Sequence, residues 1–164
     1  MKTWKNDLIN NGFGQIEIGN IWSINNNLAL IADEIIEATK TIEYDCIAGI
    51  ETKGLIIASA LSARIQKPLL VLRKVGKIIY TKEKYQEEYI NWKNQKDGLE
   101  IEKSLLSKNI RIIVVDDLSQ TLETFKAAYR IINSCGSEIC AYVCIANISN
   151  TTELYGKKII SLLE

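Results

Sequence analysis

Two adjacent carboxylates, Asp116 and Asp117, follow the apolar run Ile110-Arg-Ile-Ile-Val-Val115. They precede a stretch rich in hydroxyl and amide groups, Leu118-Ser119-Gln120-Thr121-Leu122-Glu123-Thr124. Acids at the end of a buried strand are costly unless they face a cleft and meet hydroxyls or a metal ion. The turn after them leads into a helix pattern, and the amides at a helix N-terminus make a ready anion site. Carboxylates for a diol, then a cradle for phosphate, would read a ribose phosphate. The plainer alternative is a solvated helix cap, with an Asp or Ser before the helix and Glu123 in its first turn.

Two further polar segments follow apolar runs. Glu51-Thr52-Lys53-Gly54 comes after Asp45-Cys-Ile-Ala-Gly-Ile50, and Arg73-Lys74 comes after Leu69-Leu-Val-Leu72. Alone, Lys53 and Arg73 would read as surface charges. Their places just after expected strands make them candidates, because open α/β sheets bind ligands at the carboxyl ends of strands.

Composition narrows the chemistry. The 164 residues include 20 Lys+Arg, 20 Asp+Glu, four Cys and no His. A Ser-His-Asp triad, a Cys-His pair and a His-ligated zinc are therefore excluded. Formal neutrality argues against a nucleic-acid binder that works by bulk positive charge. No apolar run approaches the ~20 residues of a membrane span, and no signal-like stretch follows Met1, so neither a membrane nor an export route is expected. Cys46, Cys135, Cys140 and Cys144 form no C-x-x-C pair. They read as small buried hydrophobes in a reducing, cytoplasmic protein, with Cys140 and Cys144 on one face of a strand. The neutrality is also an average. Residues 53–96 hold ten cations against three acids, a net +7, and the rest of the chain carries −7.

The elements that must position these residues alternate along the chain. Leu28, Ile31, Ile35 and Ala38 form a helical stripe over 27–42, residues 55–66 read as an apolar helix ending before Pro68, and a third helix over 123–134 is closed by Gly136. Between them lie the short runs 45–50, 69–72, 110–115, 139–145 and 158–163. Strands apolar on both faces and separated by helices indicate a parallel sheet covered on two sides. Residues 74–98 break the pattern, with Tyr80, Tyr85, Tyr89 and Trp92 among many charges. They are expected to form a mobile flap, with Ile78-Ile-Tyr80 and Tyr89-Ile-Asn-Trp92 as its two candidate strands.

At these residues the chain resembles the type I phosphoribosyltransferases, and among them the adenine phosphoribosyltransferase family. Their signature is a strand, two acids and a loop commonly ending Thr-Gly-Gly-Thr. Ile47-Ala-Gly-Ile-Glu-Thr-Lys-Gly54 resembles the family's Gly-Ile-Glu-x-Arg-Gly turn. Pro68-Leu-Leu-Val-Leu-Arg73-Lys74-Val-Gly-Lys77 is similar to its Pro-x-x-x-x-Arg-Lys-x-Gly-Lys stretch. Glu88-Tyr89 with Leu99-Glu-Ile resembles its Glu-Tyr…Leu-Glu-Ile flap, and Glu153-Leu-Tyr-Gly-Lys157 its closing Leu-x-Gly-Arg segment.

The resemblance implies a single 1–164 domain of α/β class: three layers, a mainly parallel central sheet, a flap over 74–98 and a small N-terminal hood over 1–26. It implies transfer of a phosphoribosyl group from phosphoribosyl pyrophosphate to a purine base, most simply adenine, with Mg²⁺, in a homodimer. Asp116 and Asp117 would hold the ribose hydroxyls and, through water, the metal. Ser119, Gln120, Thr121, Leu122, Glu123 and Thr124 would surround the 5′-phosphate. Glu51, Thr52, Lys53 and Arg73, with Mg²⁺, would take the pyrophosphate, with Gly54, Lys74, Lys77 and Tyr89 also at the substrate. Glu88 would assist proton transfer at the base, or merely solubilise the flap beside Glu83 and Glu87.

Three departures set expectations of their own. Thr121-Leu122-Glu123-Thr124 stands where the family has Thr-Gly-Gly-Thr. A non-Gly residue in a strained loop position costs ~1–3 kcal/mol. A Glu123 carboxylate ~4 Å from the phosphate would repel it by about 4 kcal/mol at an effective dielectric near 20. The flap is about five residues longer between Tyr89 and Leu99 than the family pattern. The family's Arg-Asp-Ile-Thr-Pro base-binding segment has no clear counterpart; Phe13 to Ile24 takes its place, with Trp22 more often read as a core residue than as a base platform. These departures motivate the alternatives: a non-catalytic nucleotide sensor, an interaction protein, or a transferase for hypoxanthine, xanthine or orotate.

Overall fold

The structure is a computed structural model that describes residues 4–7, 9–10, 16–18 and 21–163. In chain order come β1 (Ile9–Asn10), β2 (Ile16–Glu17), α1 (Asn27–Thr39), β3 (Cys46–Ile50), α2 (Lys53–Ile65), β4 (Leu69–Lys74) and β5 (Lys84–Ile90). They are followed by β6 (Lys96–Glu102), β7 (Arg111–Ser119), α3 (Glu123–Ser134), β8 (Glu138–Asn147), β9 (Glu153–Leu154) and β10 (Lys157–Leu163). The main sheet has the order β5-β6-β4-β3-β7-β8-β10-β9. Its centre, β4-β3-β7-β8-β10, is parallel, and antiparallel pairs flank it at both edges.

Period-2 side-chain alternation sorts the central strands into two cores. Ala48, Ile112, Val114, Tyr142 and Cys144 point to one face and pack with Phe125, Ala128 and Ile131 of α3. Ile47, Ile113, Val115, Val143 and Ile145 point to the other and meet Ile31, Ile35, Ile57 and Leu61 of α1 and α2. Each such fully buried aliphatic side chain contributes roughly 1.5–3 kcal/mol. The three-layer, mainly parallel fold expected from the sequence is present. In α1 the buried stripe runs Asn27, Ile31, Ile35, Thr39 rather than through Ala38, which is exposed. Thr39 satisfies its hydroxyl by donating to the Ile35 carbonyl at 2.8 Å.

Cys140 and Cys144 do not share a face. A β-bulge in β8 sets Ile139 opposite Ile112 and Ala141 opposite Ile113, so Cys140 is the extra residue. It packs against the α1–α2 core, whereas Cys144 lies in the α3 core.

The middle of the chain forms a hairpin, but not from the expected strands. Residues 84–90 pair with 96–102, and Ile78–Tyr80 is outside any strand, with Ile79 almost fully exposed. The hairpin continues the main sheet, because Arg73 and Lys74 pair with Glu100 and Leu99. A buried ion pair secures that junction. Lys84 Nζ lies 2.7 Å from Glu100 Oε2, and the Ile78 amide donates to Glu100 Oε1 at 2.6 Å. At the N-terminus, Ile18 and Ile21 are buried in the α1–α2 core, and Trp22 packs against it. Phe13 lies outside the described residues.

Candidate active site

The carboxyl ends of β3 and β7, together with the hairpin, border a cleft of about 750 Å³. It is lined by Glu51, Thr52 and Lys53 after β3, by Lys74 at the end of β4, and by Tyr89, Asn91, Trp92 and Asp97 of the hairpin. The turn from Asp116 to Leu122, with Thr124 and Ile148, completes it. Twelve of the residues singled out in the sequence therefore meet at one place: Glu51, Thr52, Lys53, Lys74, Tyr89, Asp116, Asp117, Ser119, Gln120, Thr121, Leu122 and Thr124.

β7 runs four residues beyond the expected end at 115, because β8 is long enough to pair with Leu118 and Ser119. Asp116 is thereby held inside the sheet, only 9% exposed. Its Oδ1 accepts the Asp117 amide at 2.9 Å. Burial, and then the neighbouring Asp117 charge, hold its carboxyl well above the ordinary carboxylate range. Asp117 is more open and lies 3.5 Å from Lys53 Nζ. Two adjacent carboxyl groups facing one cleft suit a pair of vicinal hydroxyls.

Gly54 supports the pair from beneath. A Cβ there would lie 2.6 Å from the Val115 carbonyl oxygen and 2.7 Å from Asp116 Cα. Glycine lets the first turn of α2 rest directly on the acidic turn. Gly54 is thus a packing residue rather than a lining one.

On the other wall, Lys74 joins three elements. Its amide donates to Glu51 Oε2 at 2.9 Å, and its Nζ donates to Tyr89 OH at 2.8 Å and to Asp97 Oδ2 at 2.6 Å. Burial alone would push the Lys74 ammonium down, but its bonds to Asp97 and Tyr89 outweigh that and raise it. Burial likewise works against the Asp97 carboxylate, yet the Lys74 bond and the Gly98 amide bring it below the usual range. The Thr124 hydroxyl reaches Tyr89 OH at 3.5 Å, so this chain of groups ends on α3.

The loop before α3 answers both expectations about its departures. Leu122 has φ 62°, the left-handed region that glycine adopts freely, so a leucine holds the backbone there under strain. Glu123 adds no repulsion to the cleft. Its carboxylate lies 2.7 Å from Lys126 Nζ, and it is not among the lining residues. Ser119 Oγ is buried in the cleft wall without a hydrogen-bond partner, a polar atom left for a ligand to satisfy.

Arg73, Lys77 and Glu88 do not line the cleft. Arg73 Nε sits 3.7 Å from Glu51 Oε2 behind it, and Lys77 is exposed in the following turn. Glu88 faces solvent, accepting from Gln86 Nε2 at 3.3 Å, because strand alternation turns the buried Tyr89 inward instead. Trp22 belongs to the core. Three of the ten cations in the middle of the chain are spent elsewhere: Arg64 pairs with Asp33, Lys67 donates to the Tyr44 carbonyl, and Lys84 pairs with Glu100. Among the described residues the cleft is lined by two lysines and four carboxylates, Glu51, Asp97, Asp116 and Asp117. Asn91, Trp92, Asp97 and Ile148 were not among the candidate site residues, although Asn91 and Trp92 belonged to an expected flap strand. The unusual length between Tyr89 and Leu99 was a signal for the first three.

Known proteins resemble this chain in sequence and in fold. The phosphoribosyl transferase domain family matches residues 16–162. The chain is 36% identical to the adenine phosphoribosyltransferase of Nitrosopumilus maritimus over 133 residues, 80% of this chain and 74% of that protein. It is 32% identical to the enzyme of that name from Cenarchaeum symbiosum, over 74% of this chain and 70% of that one. In fold it resembles the Saccharomyces cerevisiae adenine phosphoribosyltransferase, solved with an imino-altritol bisphosphate and adenine. The TM-score is 0.84 at 20% identity, covering 98% of this chain and 96% of that one. With the paired acids, the glycine-backed turn and the helix-capped loop converging on one cleft, the chain belongs to the adenine phosphoribosyltransferase family of type I phosphoribosyltransferases.

Proposed function

We infer that the protein transfers the phosphoribosyl group of phosphoribosyl pyrophosphate to adenine. The observation that carries this reading is the convergence of Asp116-Asp117, the loop before α3 and the Glu51–Lys53 turn on one cleft, in a chain 36% identical to an adenine phosphoribosyltransferase. A ring nitrogen of the base forms a bond to C1′ as the C1′–O bond to pyrophosphate breaks. The electron pair leaves with pyrophosphate, and the base loses its N–H proton to water.

The residues take roles by position. Asp116 and Asp117 hold the ribose hydroxyls, and Ser119, Gln120, Thr121 and Thr124 with the first amides of α3 hold the 5′-phosphate. Lys53 and Lys74 face the pyrophosphate, with Thr52 beside Lys53 and with Glu51 bracing the Lys74 amide and Arg73. Leu122 shapes the loop, and Gly54 lets α2 approach. Glu88 has no step in this assignment, because it faces solvent.

A polyanionic substrate in a cleft with four carboxylates and two lysines needs a compensating cation. Glu51 and Asp97 are engaged by Lys74, so the Asp116 and Asp117 oxygens are the donors that fit Mg²⁺, which keeps several waters and shares substrate phosphate oxygens. Bound there, the ion would stabilise charge on the departing pyrophosphate. Asp116 and Asp117 would hold it through water.

We also propose one domain with the hairpin as flap and the N-terminal segment as hood, assembled as a homodimer in the cytoplasm. Four free cysteines suit a reducing compartment, and among the described residues no helix is long and apolar enough to cross a membrane. Sedimentation of the purified protein tests the dimer.

Incubation with adenine, phosphoribosyl pyrophosphate and Mg²⁺ should yield AMP and pyrophosphate, stop with excess chelator and resume when Mg²⁺ is restored. Turnover of hypoxanthine, xanthine or orotate but not adenine would reassign the base. No turnover of any of them, with the phosphorylated sugar supplied, would overturn the reading.

A further inference from the structure

The longer turn of the hairpin places an aromatic ring at the cleft. Asn91 and Gln95 close the turn, with the Asn91 amide donating to the Gln95 carbonyl at 2.9 Å and the Asn94 amide to the Asn91 carbonyl at 2.9 Å. The Asn91 side chain is consumed within the turn, its Oδ1 accepting the Lys93 and Gln95 amides at 3.0 and 3.1 Å. Trp92, seated in this self-tied turn, lines the cleft while 56% exposed. Ile148 lines it from the loop after β8, 44% exposed, with its amide anchored to the Ser119 carbonyl at 2.7 Å.

Two large apolar side chains on separate, tethered segments thus remain about half in water beside a wall of carboxylates, hydroxyls and ammonium groups. Apolar surface left in water is unfavourable in proportion to its area. A flat heteroaromatic ring would cover such surface, and an indole face is a sequence-tolerant stacking platform for bases. The phosphate and the diol have polar partners elsewhere in the cleft; the base is the part of the substrates that matches these two.

We propose that Trp92 is a base-binding residue that stacks on the purine ring, with Ile148 as a second apolar contact. This rests on the transferase reading above and names the base-side contact that Trp22, packed in the α1–α2 core, does not supply. The contact lies in the part of the hairpin by which this chain exceeds its family pattern.

Intrinsic fluorescence isolates the contact, since Trp4 is buried and Trp22 packs in the same core. AMP should quench the emission and ribose 5-phosphate, which lacks the base, should not. The AMP response should vanish in Trp92→Phe. Trp92→Ala should raise KM for adenine at least about tenfold and leave KM for phosphoribosyl pyrophosphate within about twofold, and Trp92→Phe should recover most of the loss. No AMP response, or an adenine KM unchanged in Trp92→Ala, overturns the proposal. Quenching by AMP without turnover of adenine, hypoxanthine, xanthine or orotate would sink the transferase reading and keep the contact. Turnover that is indifferent to Trp92 would do the reverse.

Discussion

Two buried carboxylates near the cleft, Glu100 on β6 and Asp116 on β7, have opposite electrostatic fates. Glu100 is fully buried. Burial pushes its carboxyl up, but the Lys84 ammonium and the amides of Ile78 and Gly76 outweigh it and bring the group below its usual range. Asp116 is 9% exposed, has an acid rather than a cation for its neighbour, and is held above that range. Their pH signatures differ in sign. Glu100 adds stability above the ordinary carboxylate pKa and loses it as pH falls through its lowered value. Asp116 favours the fold most below the ordinary aspartate pKa and loses that contribution as pH rises through its raised value. The first carboxylate is satisfied by the protein and serves the fold. The second meets a backbone amide and another acid instead of a cation, the kind of perturbed environment that binding groups occupy.

The largest effect should come from Glu100→Ala, which abandons Lys84 and the Ile78 amide. We expect a loss of about 3 kcal/mol, toward the low end for a broken buried pair because Lys84 remains partly exposed. Thermal melts should show that loss in full at pH 7, and the gap to wild type should shrink below the ordinary carboxylate range. A gap independent of pH would mean that packing, not charge, is what Glu100 supplies.

Asp116→Asn should invert the pattern. Turnover should fall about a hundredfold, near 2.7 kcal/mol, the scale of a hydrogen bond to a charged group. The melting temperature should stay level or rise at pH 8, with the difference closing in acid. A variant that is both inactive and less stable at pH 8 would make Asp116 a structural residue like Glu100.

Gly54→Ala pushes a methyl against the Val115 carbonyl and Asp116. Overpacking of this kind costs about 2 kcal/mol, and Asp116, resting on that turn, should lose activity with it. Smallest should be Leu122→Gly. Relief of the left-handed strain offsets lost packing and added chain entropy, leaving stability within about 1 kcal/mol of wild type in urea titrations. Affinity for phosphoribosyl pyrophosphate should hold or improve; a marked loss would give the leucine side chain a role in the phosphate loop.

The cleft's acidic half was legible in sequence because it lies on continuous segments. Strand, acids, hydroxyl turn and helix N-terminus follow one another from Ile110 to Thr124, and local chemistry orders them without reference to the rest of the chain. The hairpin half was not. Glu88 and Tyr89 are neighbours, and only strand pairing decides which turns inward. Glu123 looked like a second anion at the phosphate until helix geometry set Lys126 beside it. The charge surplus of residues 53–96 does not gather at the cleft, since Arg64, Lys67 and Lys84 each meet an acid or a carbonyl far away in sequence.

Hydrophobic periodicity and turn chemistry by themselves determined the layered parallel sheet and the place where a ligand would meet it, since both are set by interactions a few residues apart. Register and long-range pairing decided the rest. The bulge that parts Cys140 from Cys144, the pairing that hides Glu100 beneath Lys84, and the turn that brings Trp92 to the cleft each depend on which distant strand lies alongside. A one-residue change of register moves every side chain to the other face, and no local pattern records that choice.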